Sequence, residues 1–290
     1  MKILITGVNG LVGKAIAEEL LNGNIVIGCS RAIENKTNLQ IEYHSVDLSI
    51  SNSVDILKDK QIDVIIHCAA SLDLTPLSED LIMSNCMGIR NIAALALQNK
   101  CKQFIFISSI PIIGKPLQIP IMEDHTINPI TTYHVSKYFG ELYLKNIFKD
   151  CGLTILRIPS PIGMDMTDNK IIPAFIKKCI DNEDIILSGN GNRVQNYIDV
   201  KDISKAVDLC INKSVSGVYN IASKKSYSNK ELAETCINFF QSESKIIYSG
   251  NDPEEENKWI VSIEKAKNDF NFNPTISLET SIKEISKRYL

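Results

Sequence analysis

The sequence predicts an α/β protein, a doubly wound parallel sheet with a smaller α+β unit later in the chain. Two observations carry this. Short apolar runs alternate with segments of helical period through the first half, and the first run leads straight into a glycine-spaced turn and a helix. Apolar strands separated by helices form a parallel sheet with both faces covered.

In chain order, strands are expected at residues 2–5, 24–29, 41–46, 64–68 and 104–107, each a short apolar run bounded by turn residues or charge. Helices are expected at 13–21, 53–58, 82–98 and 133–148, where apolar residues recur with helical period. Runs at 154–158 and 217–221 extend the strand series. The remainder is more polar and less regular, with Gly/Asn punctuation at 188–192 and an acidic loop at 253–256. The Gly189-Asn190-Gly191 turn reads as a plain hairpin in preference to a phosphate cradle.

Composition narrows the function. Of 290 residues, 44% are hydrophobic and 22% charged, which excludes wholesale disorder. A formal charge of −3 leaves no excess of cations for a phosphate backbone, so nucleic acid is not an expected partner. The eight cysteines (29, 68, 86, 101, 151, 179, 210 and 236) lie singly, without C-x-x-C spacing, and reduced thiols are expected. His67 reads as a hydrogen-bonded core residue, and His44, His125 and His134 have no ligand partner at helical spacing, so no metal is expected. No run approaches the roughly eighteen apolar residues of a membrane span, and the N-terminal run is too short for a signal peptide. A cytoplasmic protein without a membrane partner is the expectation.

The first strand ends in Thr6-Gly7-Val8-Asn9-Gly10-Leu11-Val12-Gly13. Glycines at 7, 10 and 13 permit a tight turn, close backbone approach to a pyrophosphate and close helix–strand packing, while the helix N-terminus adds partial positive charge. Between a strand and a helix, this spacing indicates a dinucleotide. Cofactor choice should be written after the second strand, where a ribose 2′-hydroxyl wants a carboxylate and a 2′-phosphate a cation. Cys29-Ser30-Arg31 offers a cation and no acid, which favours NADP over NAD unless Arg31 is simply a solvated residue. Asp47-Leu48 after the third apolar run suits an adenine amino group and ring, though Asp there also caps helices.

Tyr133 and Lys137 lie one turn apart on a helical face. A nearby ammonium lowers a phenol from about 10 towards working pH and makes it a usable proton donor and acceptor. Ser108-Ser109 ends the strand at 104–107, on the edge where open α/β sheets bind ligands, and a hydroxyl there can hold a reacting oxygen beside the Tyr. Y-x-x-x-K alone is common. The ordered set of glycine loop, strand-end Ser, then Tyr and Lys is far more specific.

With these residues in place the chain resembles the extended short-chain dehydrogenase/reductase family, the NAD(P)-dependent nucleotide-sugar epimerases, dehydratases and reductases. The likeness runs nearly end to end. It rests on the glycine loop, Asp47-Leu48, Asp63 to Ala70, Asn85-x-x-Gly88-x-x-Asn91, Ser108-Ser109, Tyr133-x-x-x-Lys137, Leu156 to Ser160 and Gln195 to Asp202. The resemblance implies a Rossmann-type sheet over residues 1–158 with a return at about 195–215, and a substrate-binding unit over 159–194 and 216–290. It implies a catalytic triad of Ser109, Tyr133 and Lys137. Gly7, Asn9, Gly10, Leu11 and Gly13 would hold the pyrophosphate side, Arg31 the ribose phosphate, and Asp47 and Leu48 the adenine. Cys68, Ala69 and Ala70 would line the cofactor, with Pro159, Tyr133 and Lys137 by the nicotinamide end. Ser109, Ser160, Arg193 and Gln195 would face a nucleotide-sugar, and the family often forms homodimers.

Departures from the family pattern narrow the reaction. Family dehydratases carry Asp-Glu after the catalytic hydroxyl; here Ile110 and Pro111 offer no proton chemistry. Hexose epimerases place Asn at Ser160 and Arg at Gln195, and they usually carry a late Arg that residues 249–258 lack. With Arg31, these differences tilt the expectation to NADPH-dependent reduction of a 4-keto-6-deoxy sugar nucleotide. The alternatives are an NAD-dependent 4-epimerase and a catalytically silent dinucleotide-binding regulator, because fold does not fix function.

Overall fold

The computed structural model describes residues 1–73, 75, 77–148 and 152–290. Strands β1 (Lys2–Thr6), β2 (Ile25–Ser30), β3 (Glu42–Ser45), β4 (Val64–His67), β5 (Gln103–Ser109) and β6 (Gly152–Ile158) alternate with helices α1 (Leu11–Leu20), α2 (Glu79–Ile82), α3 (Gly88–Gln98) and α4 (Thr132–Ile147). The chain continues through β7 (Ser160–Ile162), α5 (Ile171–Ile180), β8 (Ile185–Ser188), β9 (Val194–Asp199), α6 (Val200–Asn212) and β10 (Gly217–Asn220). It finishes with β11 (Ser226–Ser228), α7 (Asn229–Phe240), β12 (Ile246–Ser249), α8 (Glu264–Phe270) and α9 (Leu278–Ser286).

Seven strands form one parallel sheet in the order β10-β6-β5-β4-β1-β2-β3. The central strands carry apolar residues on both faces because each face meets helices. Ile3 and Ile5 pack with Ile16 of α1 and Ile203 of α6. Leu4, pointing the other way, packs with Ile92 of α3 and Leu144 of α4. The Rossmann-type doubly wound sheet read from the alternating pattern is therefore present. A second core, with Phe175, Ile176, Leu232 and Ile282, joins α5, α7 and α9 over a sheet ordered β11-β9-β7 and a parallel pair of β12 with β8.

Three details differ from the sequence reading. The helix expected at 82–98 begins at Glu79, capped by the Ser78 hydroxyl, and passes through a π turn at Met83–Met87. The boundary drawn before residue 216 falls just ahead of β10, which is an edge strand of the large sheet, because the apolar run at 217–221 pairs in parallel with β6. The turn at Gly189 to Gly191 is not a hairpin, since β8 and β9 on either side join different sheets. His67 is buried and bonded to Thr6, as expected. Seven cysteines are free thiols; Cys151 lies outside the described residues. Among the described residues, no helix is long and apolar enough to cross a membrane.

Candidate active site

At the carboxyl edge of the large sheet the register aligns Thr6 with Cys29 and His67, while β5 and β6 run on past it to the pair Ser109 and Ile158. A cleft opens there between the glycine loop, Arg31, Asp47, Leu48 and the Cys68-Ala69-Ala70-Ser71 segment. Gly7 has a left-handed φ of +67°, and a Cβ on it would stand 2.8 Å from the Ala69 backbone. A Cβ on Gly13 would overlap the Gly7 carbonyl oxygen. Larger residues would push α1 away from β1 and close the bend. Gly10 caps α1 without a side-chain acceptor, and no acidic residue sits in the first turn, so the leading N–H groups face the cleft uncompensated. The cradle fits a dinucleotide pyrophosphate.

The rim residues are more committed than their sequence suggests. Asn9 donates to Ser30, to the Glu34 carbonyl and to Tyr43, and accepts from Lys36 N–H at 2.9 Å, so its side chain pins the β2–β3 connection. Asp47 accepts from the Ser49 N–H and hydroxyl at 2.9 and 2.7 Å, and Leu48 is fixed by the Asn91 amide at its carbonyl. Arg31 pairs with Asp80 of α2 at 2.5 Å. Asp80 is a residue the sequence reading missed, because no motif links position 80 to the end of β2.

Thr131 caps α4, placing Tyr133 in its first turn beside the end of β5. Lys137, one turn on, is buried. Its ammonium donates to the Ile107 carbonyl at 2.9 Å and lies 4.9 Å from the Phe106 ring centre and 5.9 Å from that of Tyr133. Ser109 is buried at the strand end, and neither its hydroxyl nor the Tyr133 phenol makes a hydrogen bond among the described residues. Both remain available to a third group. Behind them Glu141, fully buried, receives Arg157 on both oxygens (2.9 and 2.8 Å) and the Ser108 hydroxyl at 2.6 Å. Asn85, on the π turn, bonds Ser71 and the Ser136 hydroxyl and so ties the cleft wall to the turn of α4 that carries Tyr133 and Lys137.

The electrostatics correct one expectation. Burial pushes the Tyr133 phenol up to about 12, not down, and pushes Lys137 down to about 8, with Cys68 and Glu141 opposing the fall. In the free protein desolvation outweighs the Tyr–Lys attraction, partly because the ammonium points at a carbonyl. Tyr133 is thus a neutral phenol in the free protein, and Lys137 holds its charge only below about pH 8. The rate constant kcat/KM is expected to fall above about pH 8, and Lys137→Arg, whose guanidinium stays charged, should abolish that alkaline limb. An identical limb in the variant would remove Lys137 from the profile. Because folding lowers this pKa, the unfolded chain binds the extra proton, and stability should rise with pH between about 8 and the ordinary 10.5.

The residues expected to face substrate lie beyond the cleft. Ser160 pairs in register with Tyr197. Arg193 forms an ion pair with Glu254, and the Gln195 amide, oriented to satisfy both its atoms, accepts from Arg193 at 2.7 and 2.8 Å. Glu255 fills the Gly189–Gly191 turn, accepting from the Asn190 N–H at 2.7 Å and the Asn192 amide at 3.2 Å.

The chain is similar to known proteins over nearly its whole length. The model of the NAD dependent epimerase/dehydratase family matches residues 3–222. A Methanocaldococcus jannaschii protein provisionally named UDP-glucose 4-epimerase is 28% identical, with 98% of this chain and 96% of that protein covered. The Escherichia coli dTDP-4-dehydro-6-deoxyglucose reductase is 26% identical over the same shares, 98% and 96%. A Bacillus cereus UDP-glucuronic acid 4-epimerase, solved with UDP-glucuronic acid and NAD, superposes with a TM-score of 0.86 at 21% identity, covering 100% of both chains. A nucleotide cradle, a buried Lys under an available phenol and a match that spans the whole large sheet have one reading: the chain is an enzyme of the NAD-dependent epimerase/dehydratase family.

Proposed function

We propose that the enzyme is a 4-epimerase of a nucleoside-diphosphate sugar that retains NAD and returns it unchanged. The observation that carries this is the pair of available hydroxyls, Ser109 at the carboxyl end of β5 and Tyr133 beside the buried Lys137. As a phenolate, Tyr133 takes the proton from the sugar 4-hydroxyl, and as the resulting phenol it gives the proton back after the keto sugar has turned its other face. Ser109 donates to the same oxygen and holds it, while the Lys137 ammonium stabilises the phenolate that precedes and follows the keto stage. The dinucleotide supplies the two-electron chemistry at the adjacent carbon. Ile110 and Pro111 put no carboxylate beside Ser109, which argues against loss of water.

Two features favour epimerisation over net reduction. Asp80 neutralises Arg31, weakening the reason to expect a 2′-phosphate. Arg193 rests against Gln195, which supports a cation serving where the family's epimerases carry their arginine. Net reduction of a 4-keto sugar nucleotide by NADPH stays as the second reading, favoured by the full-length likeness to the E. coli reductase. The discriminating experiment denatures the purified protein, identifies released dinucleotide, and then supplies UDP- and dTDP-hexoses. Stoichiometric NAD with interconversion of two hexoses and no net redox is expected. Empty protein that oxidises NADPH only with a 4-keto sugar would overturn the epimerase reading.

A further inference from the structure

Asp80, on α2 and far from the glycine loop in sequence, is bonded to three residues that line the dinucleotide cleft. Arg31, on the wall formed by the end of β2, donates to one carboxylate oxygen at 2.5 Å. From the opposite wall, the Ser71 hydroxyl donates to the other oxygen at 2.6 Å and Ser84 to the first at 3.1 Å. Arg31, Ser71 and Ser84 all line the cleft. Ser71 is itself anchored, since the buried Asn85 accepts its N–H at 2.7 Å and donates to its carbonyl at 3.1 Å. The carboxylate is therefore held from the far wall whether or not Arg31 stays.

We propose that Asp80 is the cofactor-selecting residue of this enzyme: its anchored carboxylate neutralises Arg31 across the cleft, so that a ribose with a free 2′-hydroxyl is accepted and a 2′-phosphate is refused. This rests on the reading of the cleft as a dinucleotide site. Both partners are about half exposed, with side-chain accessibilities of 54% and 44%, and such a pair is individually weak. Selectivity comes from the anchoring. A 2′-phosphate that wins Arg31 still meets a carboxylate fixed by two hydroxyls, and like charges at close range are unfavourable. The usual device places an acid directly after the second strand; here a residue on α2 supplies it.

The test is calorimetric titration with NAD and NADP, after any retained dinucleotide has been stripped, of the enzyme, Asp80→Asn, Asp80→Glu, and Arg31→Ala with and without Asp80→Asn. The unmodified enzyme is expected to prefer NAD. Asp80→Asn should shift the ratio of dissociation constants towards NADP by about ten-fold, equal to about 1.4 kcal/mol. Asp80→Glu, which keeps the charge, should stay near the original ratio, and the gain should vanish without Arg31. An unchanged ratio in Asp80→Asn, a gain that survives Arg31→Ala, or an NADP preference in the unmodified enzyme overturns the selection. Folded enzyme that binds neither dinucleotide overturns the reading of the cleft itself.

Discussion

Replacing Tyr133 with Phe is expected to lower kcat by about 10² to 10⁴-fold, the usual contribution of a positioned proton donor. Dinucleotide affinity should stay within a few-fold. The ring still covers Lys137, whose ammonium is held independently by the Ile107 carbonyl. The phenol makes no hydrogen bond among the described residues, so its removal leaves no partner stranded. A single-turnover assay beside an NAD titration separates the two effects. Turnover retained within ten-fold would exclude Tyr133 as the proton carrier, and lost dinucleotide binding would assign the residue to the cradle instead.

The largest loss of stability is expected at Glu141. It is fully buried, Arg157 is nearly so, and the pair lies between α4 and β6 with the Ser108 hydroxyl on the same carboxylate. Glu141→Ala strands a buried cation whose remaining acceptor is the Glu123 carbonyl at 2.9 Å. Breaking one side of such a pair costs about 3–5 kcal/mol. Glu141→Leu with Arg157→Met should cost much less, because an apolar pair leaves no unpaired charge. Urea denaturation of the three proteins measures both values. Equal loss in the single and the double variant would show that packing, not charge, is what this site supplies.

Much of the architecture and chemistry was legible locally. The glycine loop, Ser109 and the Tyr133–Lys137 spacing are encoded within a few residues each, and the strand pattern follows from burial on both faces. What escaped is tertiary. Nothing in the sequence brings Asp80 to Arg31, Glu255 into the Gly189 turn, or Glu254 to Arg193, because each contact joins segments that only the fold makes neighbours. The direction of the Tyr133 shift failed for a related reason. Helical spacing reveals the cation one turn away, whereas the desolvation that outweighs it depends on everything packed around the ring. The π turn at Met83–Met87 was hidden as well, since its apolar residues continue an ordinary helical period.

Because β10 covers the open side of β6, the catalytic half cannot close until the chain has passed residue 220. The buried Gln103 and Thr154 side chains also wait for the Val215 carbonyl. A nascent polypeptide therefore leaves the ribosome with its glycine loop, Tyr133 and Lys137 all synthesised, yet with a raw strand margin still seeking a partner. Any fragment ending between α6 and β10 inherits that sticky margin, and its fate is self-association, not a miniature enzyme.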